Sequence, residues 1–380
     1  MNVSNSAAAF QAPQEHGDGP SEWDDVKLGR GVISTSDEVP IGALLGEIAS
    51  KTLVVHPKFQ RQNIWGRDRQ SKLIESIVLN IPIPTLYFAE DDDGIKVVVD
   101  GQQRLRAVEQ YHAGRYALQR LELLPELNGK RWRELPARQS RAILGRTLRC
   151  AVISAASPAA LRFELFERLS TGGMPLNDQE LRNCVFRGPF NELLHDLVRT
   201  PAWLSAVGKA DADLRMKHEE LALRFFALRS VMADYRPPVK TLLNDFMRSN
   251  RNADQQRTSE MAAVFERSLA NCLSVFGEHC FRRYVQAASR PARWEANLNR
   301  AVFDLQMLVL ADLSTQLVRT QAGAIREAFC RESIANAEFS NALSLASADR
   351  RAFYARLRVW LVALRAEGIE SQLHAALPPP

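Results

Sequence analysis

The stretch Lys96-Val-Val-Val-Asp100-Gly101 constrains this chain most: an apolar β-branched run stops at Asp-Gly and passes at once into the helical pattern Gln102-Gln103-Arg104-Leu105-Arg106-Ala107-Val108-Glu109-Gln110-Tyr111. The valines read as a buried strand, Asp-Gly as a turn, and the following spacing as a helix. A strand entering a helix through glycine aims free backbone amides and a positive dipole end at one point, a natural place for an anion such as phosphate. Projected at about 100° per residue, Leu105, Ala107, Val108 and Tyr111 share one face, and Gln102, Arg106, Glu109 and Gln110 the other. Arg104 falls in the middle of the apolar face. A guanidinium cannot shed its proton there, so it requires an acidic side chain, a group of carbonyls or a bound anion. Arg106 faces solvent with Glu109 within reach.

The 380 residues suffice for two domains. Hydrophobic residues make up 46% and charged residues 24%, the balance of a folded globular chain rather than a disordered one. The formal charge of +5 permits phosphate or nucleic-acid partners without demanding them. No apolar run is long enough to span a bilayer, and the N-terminus lacks the basic start and apolar run of a secretory signal, so a cytoplasmic location is expected. The cysteines, at 150, 184, 272, 280 and 330, are scattered and contain no Cys-x-x-Cys pair; they read as buried free thiols. His279-Cys280 has no second pair to complete a ligand set.

Residues 1–25, rich in Ala, Gln, Gly, Ser and Pro, read as a flexible lead-in. From 26 to 155 short β-rich runs alternate with helices. Strands are expected at Thr52 to Val55, Thr85 to Ala89 and Ile95 to Val99, and a helix at Arg67 to Leu79 with Leu73, Ile74, Ile77 and Val78 inward. Ile81-Pro-Ile-Pro84 stops that helix and forces an extended chain. Beyond Ile153 strand signals disappear. Ser157-Pro158 reads as a helix start, Thr171-Gly172-Gly173 as its end, and Asn177 with Glu180 as a capping box. The expected class is α+β: an N-terminal mixed domain, then an irregular helical domain over 156–377.

Four motifs follow one another along the chain: His56-Pro-Lys-Phe-Gln60-Arg61-Gln-Asn-Ile-Trp65; Ile83-Pro84; Val99-Asp100-Gly101-Gln102-Gln103-Arg104; and Phe166-Glu-Arg-Leu-Ser-Thr-Gly172-Gly173-Met-Pro-Leu-Asn177-Asp-Gln-Glu180-Leu181. In this order they resemble a known family, the N-terminal domain of GmrSD-type restriction systems. Ser170 stands where the family usually has Asn. The segments Arg224-Phe225-Phe226 and Asn299 to Asp304 are similar to that family's helical half, extending the likeness over residues 32 to 310. The family core resembles the ParB/sulfiredoxin fold, and Gly101-Gln-Gln-Arg104-Leu-Arg106-Ala107 is similar to the Gly-Glu-Arg-Arg-x-Arg-Ala box of the CTP-hydrolysing ParB proteins.

The resemblance implies an NTP as ligand or substrate, Mg²⁺, and a role in DNA restriction or phage defence. Carried over, Asp100 would hold Mg²⁺ or orient water, Gly101 would let the backbone approach phosphates, and Arg104 would neutralise their charge. Either Gln102 or Gln103 would position the attacking water. Gln60 and Arg61 either bring a second polar group to the pocket or pair structurally. Trp65 either stacks on a base or packs the following helix. Gly172 and Gly173 either admit a phosphate or simply end a helix.

The larger family often carries an HNH nuclease. The histidines, at 16, 56, 112, 195, 218, 279 and 374, show no such cluster, so this chain is expected to lack that module and to work with a nuclease subunit in trans. Asp91-Asp92-Asp93 reads as a solvated hairpin loop rather than a metal site, and no P-loop is present. The leading expectation is a nucleotide-hydrolysing component of a restriction system; the alternative is a non-hydrolysing, nucleotide-gated DNA-binding protein similar to a ParB clamp. Two basic stretches suit a DNA partner: Lys130 to Arg149, and Arg282-Arg283 with Arg290, Arg293 and Arg300. Oligomerisation stays open.

Overall fold

The computed structural model describes residues 31–55, 65–169, 177–208, 216–286, 290–344, 349–373 and 377–378. It is an α+β chain in two compact units, meeting in sequence between Arg187 and Gly188. Residues 1–25, Gln60, Arg61, Gly172 and Gly173 lie outside the described residues.

The first unit runs β1 (Ser34–Pro40), α1 (Ile41–Ala49), β2 (Leu53–Val54), α2 (Arg67–Val78), β3 (Leu86–Glu90), β4 (Lys96–Asp100), α3 (Gln102–His112), α4 (Ala137–Gly145), β5 (Thr147–Ile153), α5 (Ala159–Leu169) and α6 (Asp178–Val185). Its five-stranded sheet has the order β1-β5-β3-β4-β2. The sheet is mixed: β1 pairs antiparallel with β5, β5 parallel with β3, β3 antiparallel with β4, and β4 parallel with β2. The hairpin between β3 and β4 is closed by Asp91, whose Oδ1 accepts from the amides of Asp93 at 3.1 Å and Ile95 at 2.9 Å, with Gly94 at φ 75°. This is the turn expected of the acidic run, and Lys96 points its ammonium at Glu47, 2.8 Å away.

On one side of the sheet, Leu86, Phe88, Val98 and Cys150 join Ile74, Ile77, Leu105, Val108 and Tyr111 in the main apolar cluster. Burying side chains of this size contributes about 1.5–3 kcal/mol each, which fixes α3 against the strand that delivers it. Ala89, Val97, Val99 and Ile153 are buried outside that cluster, as alternation along a sheet covered on both faces requires. In this unit α6 packs on both β4 and α5, and Phe163, Phe166 and Leu181 are buried. The unit therefore extends to Arg187, past the 155/156 boundary expected from the loss of strand signals, because local helicity does not reveal which core a helix covers.

Asn177 and Glu180 form the expected reciprocal cap: Glu180 N–H donates to Asn177 Oδ1 at 2.8 Å, and Asn177 N–H to Glu180 Oε2 at 2.7 Å. Ser157 is used differently from a plain N-cap. Its hydroxyl accepts from Ile33 N–H at 2.9 Å and donates to Ile33 O at 3.2 Å, tying down the start of β1.

The second unit holds α7 (Pro189–Leu197), α8 (Pro201–Val207), α9 (Lys217–Ser230), α10 (Val239–Asn250), α11 (Gln255–Phe276), α12 (Arg300–Ala311), α13 (Thr315–Ala335), α14 (Ala337–Ser344) and α15 (Arg350–Ala366). Every residue of α12 from Ala301 to Ala311 is buried, so it is the central helix of this unit. The helical expectation needs one correction, an antiparallel hairpin of β6 (Arg282–Val285) and β7 (Arg293–Leu298). Its strands are short and arginine-rich, which hides them from hydrophobic alternation; the cross-strand pair Tyr284 and Trp294, ring centroids 4.9 Å apart, supplies the packing instead. His279 stacks on Trp294 at 5.1 Å while Cys280 is buried, so this adjacent pair serves packing.

Candidate functional site

At the end of β4, Gly101 adopts φ 96°, ψ 5° as the N-cap of α3. A side chain there would be strained by the left-handed backbone and would run into Leu86, itself wholly buried. Glycine is thus demanded twice, by conformation and by close approach. No side chain caps this helix start, and the amides of Gln102, Gln103 and Arg104 precede the first intrahelical bond, from Leu105 N–H to Gly101 O at 3.0 Å.

Arg104 lies on the apolar face as projected, with its side chain 12% exposed. Two of its three possible kinds of partner are built into the fold. Nη2 donates to Asp100 Oδ2 at 2.6 Å and to Thr85 O at 3.3 Å, and Nη1 donates to Pro84 O. Burial pulls the guanidinium below its ordinary pKa, and the facing Asp100 carboxylate opposes that fall. Arg104 is therefore a cross-brace linking the end of β4, the start of α3 and the chain entering β3.

The carbonyls of Pro84 and Thr85 are the partners that reading the sequence missed. A usable signal was present: Ile81-Pro-Ile-Pro84 cannot form helix, and an extended chain ahead of a strand leaves carbonyls without ladder partners.

Gln103 Oε1 accepts from Trp65 N–H at 3.4 Å, which brings Trp65 beside the start of α3. Trp65 is half-buried, and the Arg69 guanidinium lies 4.3 Å over its ring. The Nε2 atom of Gln102 is buried and has no acceptor among the described residues. The structure thus gathers Asp100, Gly101, Gln102, Gln103 and Arg104 with Trp65 around one helix start.

Mg²⁺ characteristically takes one or two carboxylates together with substrate phosphates and water. Asp100 offers a single carboxylate, one oxygen of which already faces Arg104. Among the described residues no three His, Cys, Asp or Glu side chains gather as a metal cage. Among the described residues, Asp100 is the one carboxylate at this corner that would contact a Mg²⁺ carried in on nucleotide phosphates.

The two basic stretches differ once folded. In the second, Arg282 donates to Ala206 O at 3.2 Å, Cys280 O at 2.8 Å and Val207 O at 3.3 Å; Arg283 pairs with Glu295 at 3.6 Å and Arg300 with Glu220 at 3.5 Å. Only Arg290 and Arg293 of that group stay exposed without such partners among the described residues. Among the described residues no helix is long and apolar enough to cross a membrane.

No curated protein matches this chain. Residues 41–187 match the family model for the GmrSD restriction endonuclease N-terminal domain, a span that takes in α1 to α6 and the whole Asp100 to Arg104 corner. Over residues 41–187 the chain is therefore similar to the GmrSD N-terminal domain family.

Proposed function

We propose that this protein is a component of a DNA restriction or phage-defence system that binds a nucleoside triphosphate at the Asp100 to Arg104 corner and hydrolyses it, acting on DNA with a nuclease subunit in trans. The supporting observation is the junction itself: a strand ends at Asp100, Gly101 turns it in the left-handed region, and an uncapped helix start follows beside a buried arginine. This arrangement resembles the strand, glycine-containing turn and helix of a ParB/sulfiredoxin-like nucleotide site.

In this reading the first-turn amides and the dipole of α3 receive phosphate oxygens. Three of Arg104's five N–H groups are spent on Asp100, Pro84 and Thr85, so the guanidinium is held in place while the remaining donors serve the phosphates. Gln102, with its unsatisfied amide nitrogen, is placed to donate to a phosphate or to hold the attacking water. Asp100 would hold a Mg²⁺ bound to the nucleotide, which would supply charge neutralisation at the phosphates.

One observation favours the alternative, a nucleotide-gated DNA binder without turnover: Asp100 is already committed to Arg104, leaving one carboxylate oxygen for water or cation. Phosphate release from each of the four NTPs with Mg²⁺, with and without duplex DNA, decides between them. Turnover in the wild-type protein that Arg104→Ala and Asp100→Ala abolish, with circular dichroism preserved, is the expected result. Nucleotide binding without turnover selects the gated reading, and unchanged hydrolysis in both variants refutes the site.

A further inference from the structure

We propose that the outer face of α4, together with the chain leading into it, is the surface on which duplex DNA lies. Residues 130–149 hold seven Lys or Arg and a single acid, Glu134. That acid is spent locally, its Oε2 accepting from Arg131 N–H at 2.6 Å while its own N–H donates to Arg131 O at 2.9 Å, closing the turn Trp132–Glu134. One of the seven is also committed to local contacts, since Arg146 donates to Asn80 and Ile81 O, while Arg149 stands apart on β5, across from Glu38 in the β1–β5 ladder.

What remains is a strip of arginines close together in sequence. In the strip Arg131, Arg133, Arg138 and Arg141 are exposed, and the last three have no acidic or carbonyl partner among the described residues. Arg138 and Arg141 are three apart on α4 and so share a face. The opposite side of that helix is anchored, with Ile143 buried and α4 packed on α1 and α2. Arg131 reaches the Gly114 carbonyl at 2.9 Å, which sets the exposed Arg115 beside it. The strip is thus held on rigid elements, the condition for matching a regular array of phosphates.

Its chemistry selects the partner. Guanidiniums pair with phosphates in bidentate fashion and are weakly hydrated, whereas lysine is scarce here. A membrane-lying helix needs bulky apolar side chains at its exposed margin. The exposed positions of α4 are Ala137, Arg138, Arg141, Ala142 and Gly145, which supply none. The hairpin of β6 and β7, the other basic region, has its arginines largely tied to carbonyls and acids. The choice of DNA among phosphate polymers rests on the restriction reading, while the location of the surface does not depend on nucleotide turnover.

With four to five phosphates engaged, the log–log salt slope of affinity is about −4, so binding falls roughly 200-fold between 50 and 200 mM salt. Fluorescence anisotropy on a labelled duplex, using the full chain, tests this. Arg138→Glu with Arg141→Glu is expected to weaken binding at least tenfold at 50 mM and to flatten the slope by about two. Arg290→Glu with Arg293→Glu should leave both within threefold. Both pairs are exposed, and matching thermal melts confirm intact folding. No duplex binding by the wild-type protein, a loss confined to the Arg290 and Arg293 pair, or phosphatidylserine vesicles captured in preference to duplex would each overturn the assignment. An Arg104→Ala protein that loses turnover yet binds DNA with the full salt slope separates failure of the nucleotide site from failure of this surface.

Discussion

Replacing Gly101 by alanine tests the geometry of the corner without touching a charged group. Gly101 sits at φ 96°, where an L-residue costs roughly 1–2 kcal/mol. Its new Cβ would also meet the end of the Leu86 side chain, which is wholly buried in the sheet core; overpacking of this kind costs about 1–3 kcal/mol. The sum, about 2–5 kcal/mol, corresponds to a fall of about 1–2.5 M in the urea midpoint at an m value near 2 kcal/mol/M. A double-mutant cycle isolates the steric part. Leu86→Ala alone costs about 2–5 kcal/mol through its cavity, but in the Gly101→Ala background it also removes the collision. The double variant should therefore be about 1–3 kcal/mol more stable than additivity predicts. Urea unfolding followed by circular dichroism measures all four corners. A Gly101→Ala penalty below 1 kcal/mol, or strict additivity, would refute the argument that backbone conformation and Leu86 jointly demand glycine.

Further predictions concern the helical unit and the thiols. Asp304 is wholly buried between Arg224, whose Nε donates to Oδ1 at 3.0 Å, and Arg356, whose Nη2 lies 3.5 Å from Oδ2. Asp304→Asn leaves two buried guanidiniums facing a neutral group and should destabilise by about 3–5 kcal/mol; a loss below 1 kcal/mol in chemical denaturation would show that the charge is dispensable. Burial lifts the Cys150 thiol to about 11 and Cys280 to about 12 from an ordinary value of 9.0. Both states are protonated below pH 9; above it the unfolded chain releases these protons first, so stability should fall from pH 9 towards 12 in thermal melts. At pH 8, Cys330, the one cysteine that is not fully buried, should react first with a disulfide reagent, and labelling of Cys280 in the native state would contradict its burial.

Much of the corner was legible because its signals are local. Three valines, Asp-Gly and a helical period specify strand, turn and helix within sixteen residues, and the same projection exposed Arg104 as a charge on an apolar face. The capping box at Asn177 and Glu180 was equally readable, since both partners lie within one turn. The hairpin of β6 and β7 was not, because its stability comes from Tyr284 against Trp294 and not from alternation along either strand. Nor was the extent of the first unit, since nothing within α5 or α6 states that they belong with the sheet.

The sequence by itself determined that Arg104 needed a partner; only the tertiary structure decided that Asp100, Pro84 and Thr85 share that task. Likewise Arg224-Phe225-Phe226 and Asn299 to Asp304 were recognisable as two separate segments, and folding joined them through an ion pair across eighty residues. The two basic stretches were indistinguishable by charge; acids and carbonyls brought from distant parts of the chain occupied one and left the face of α4 open. Periodicity and turn chemistry act between neighbours and are written into the chain. Neutralising a charge depends on what long-range packing places beside it, and that is settled only once the core has formed.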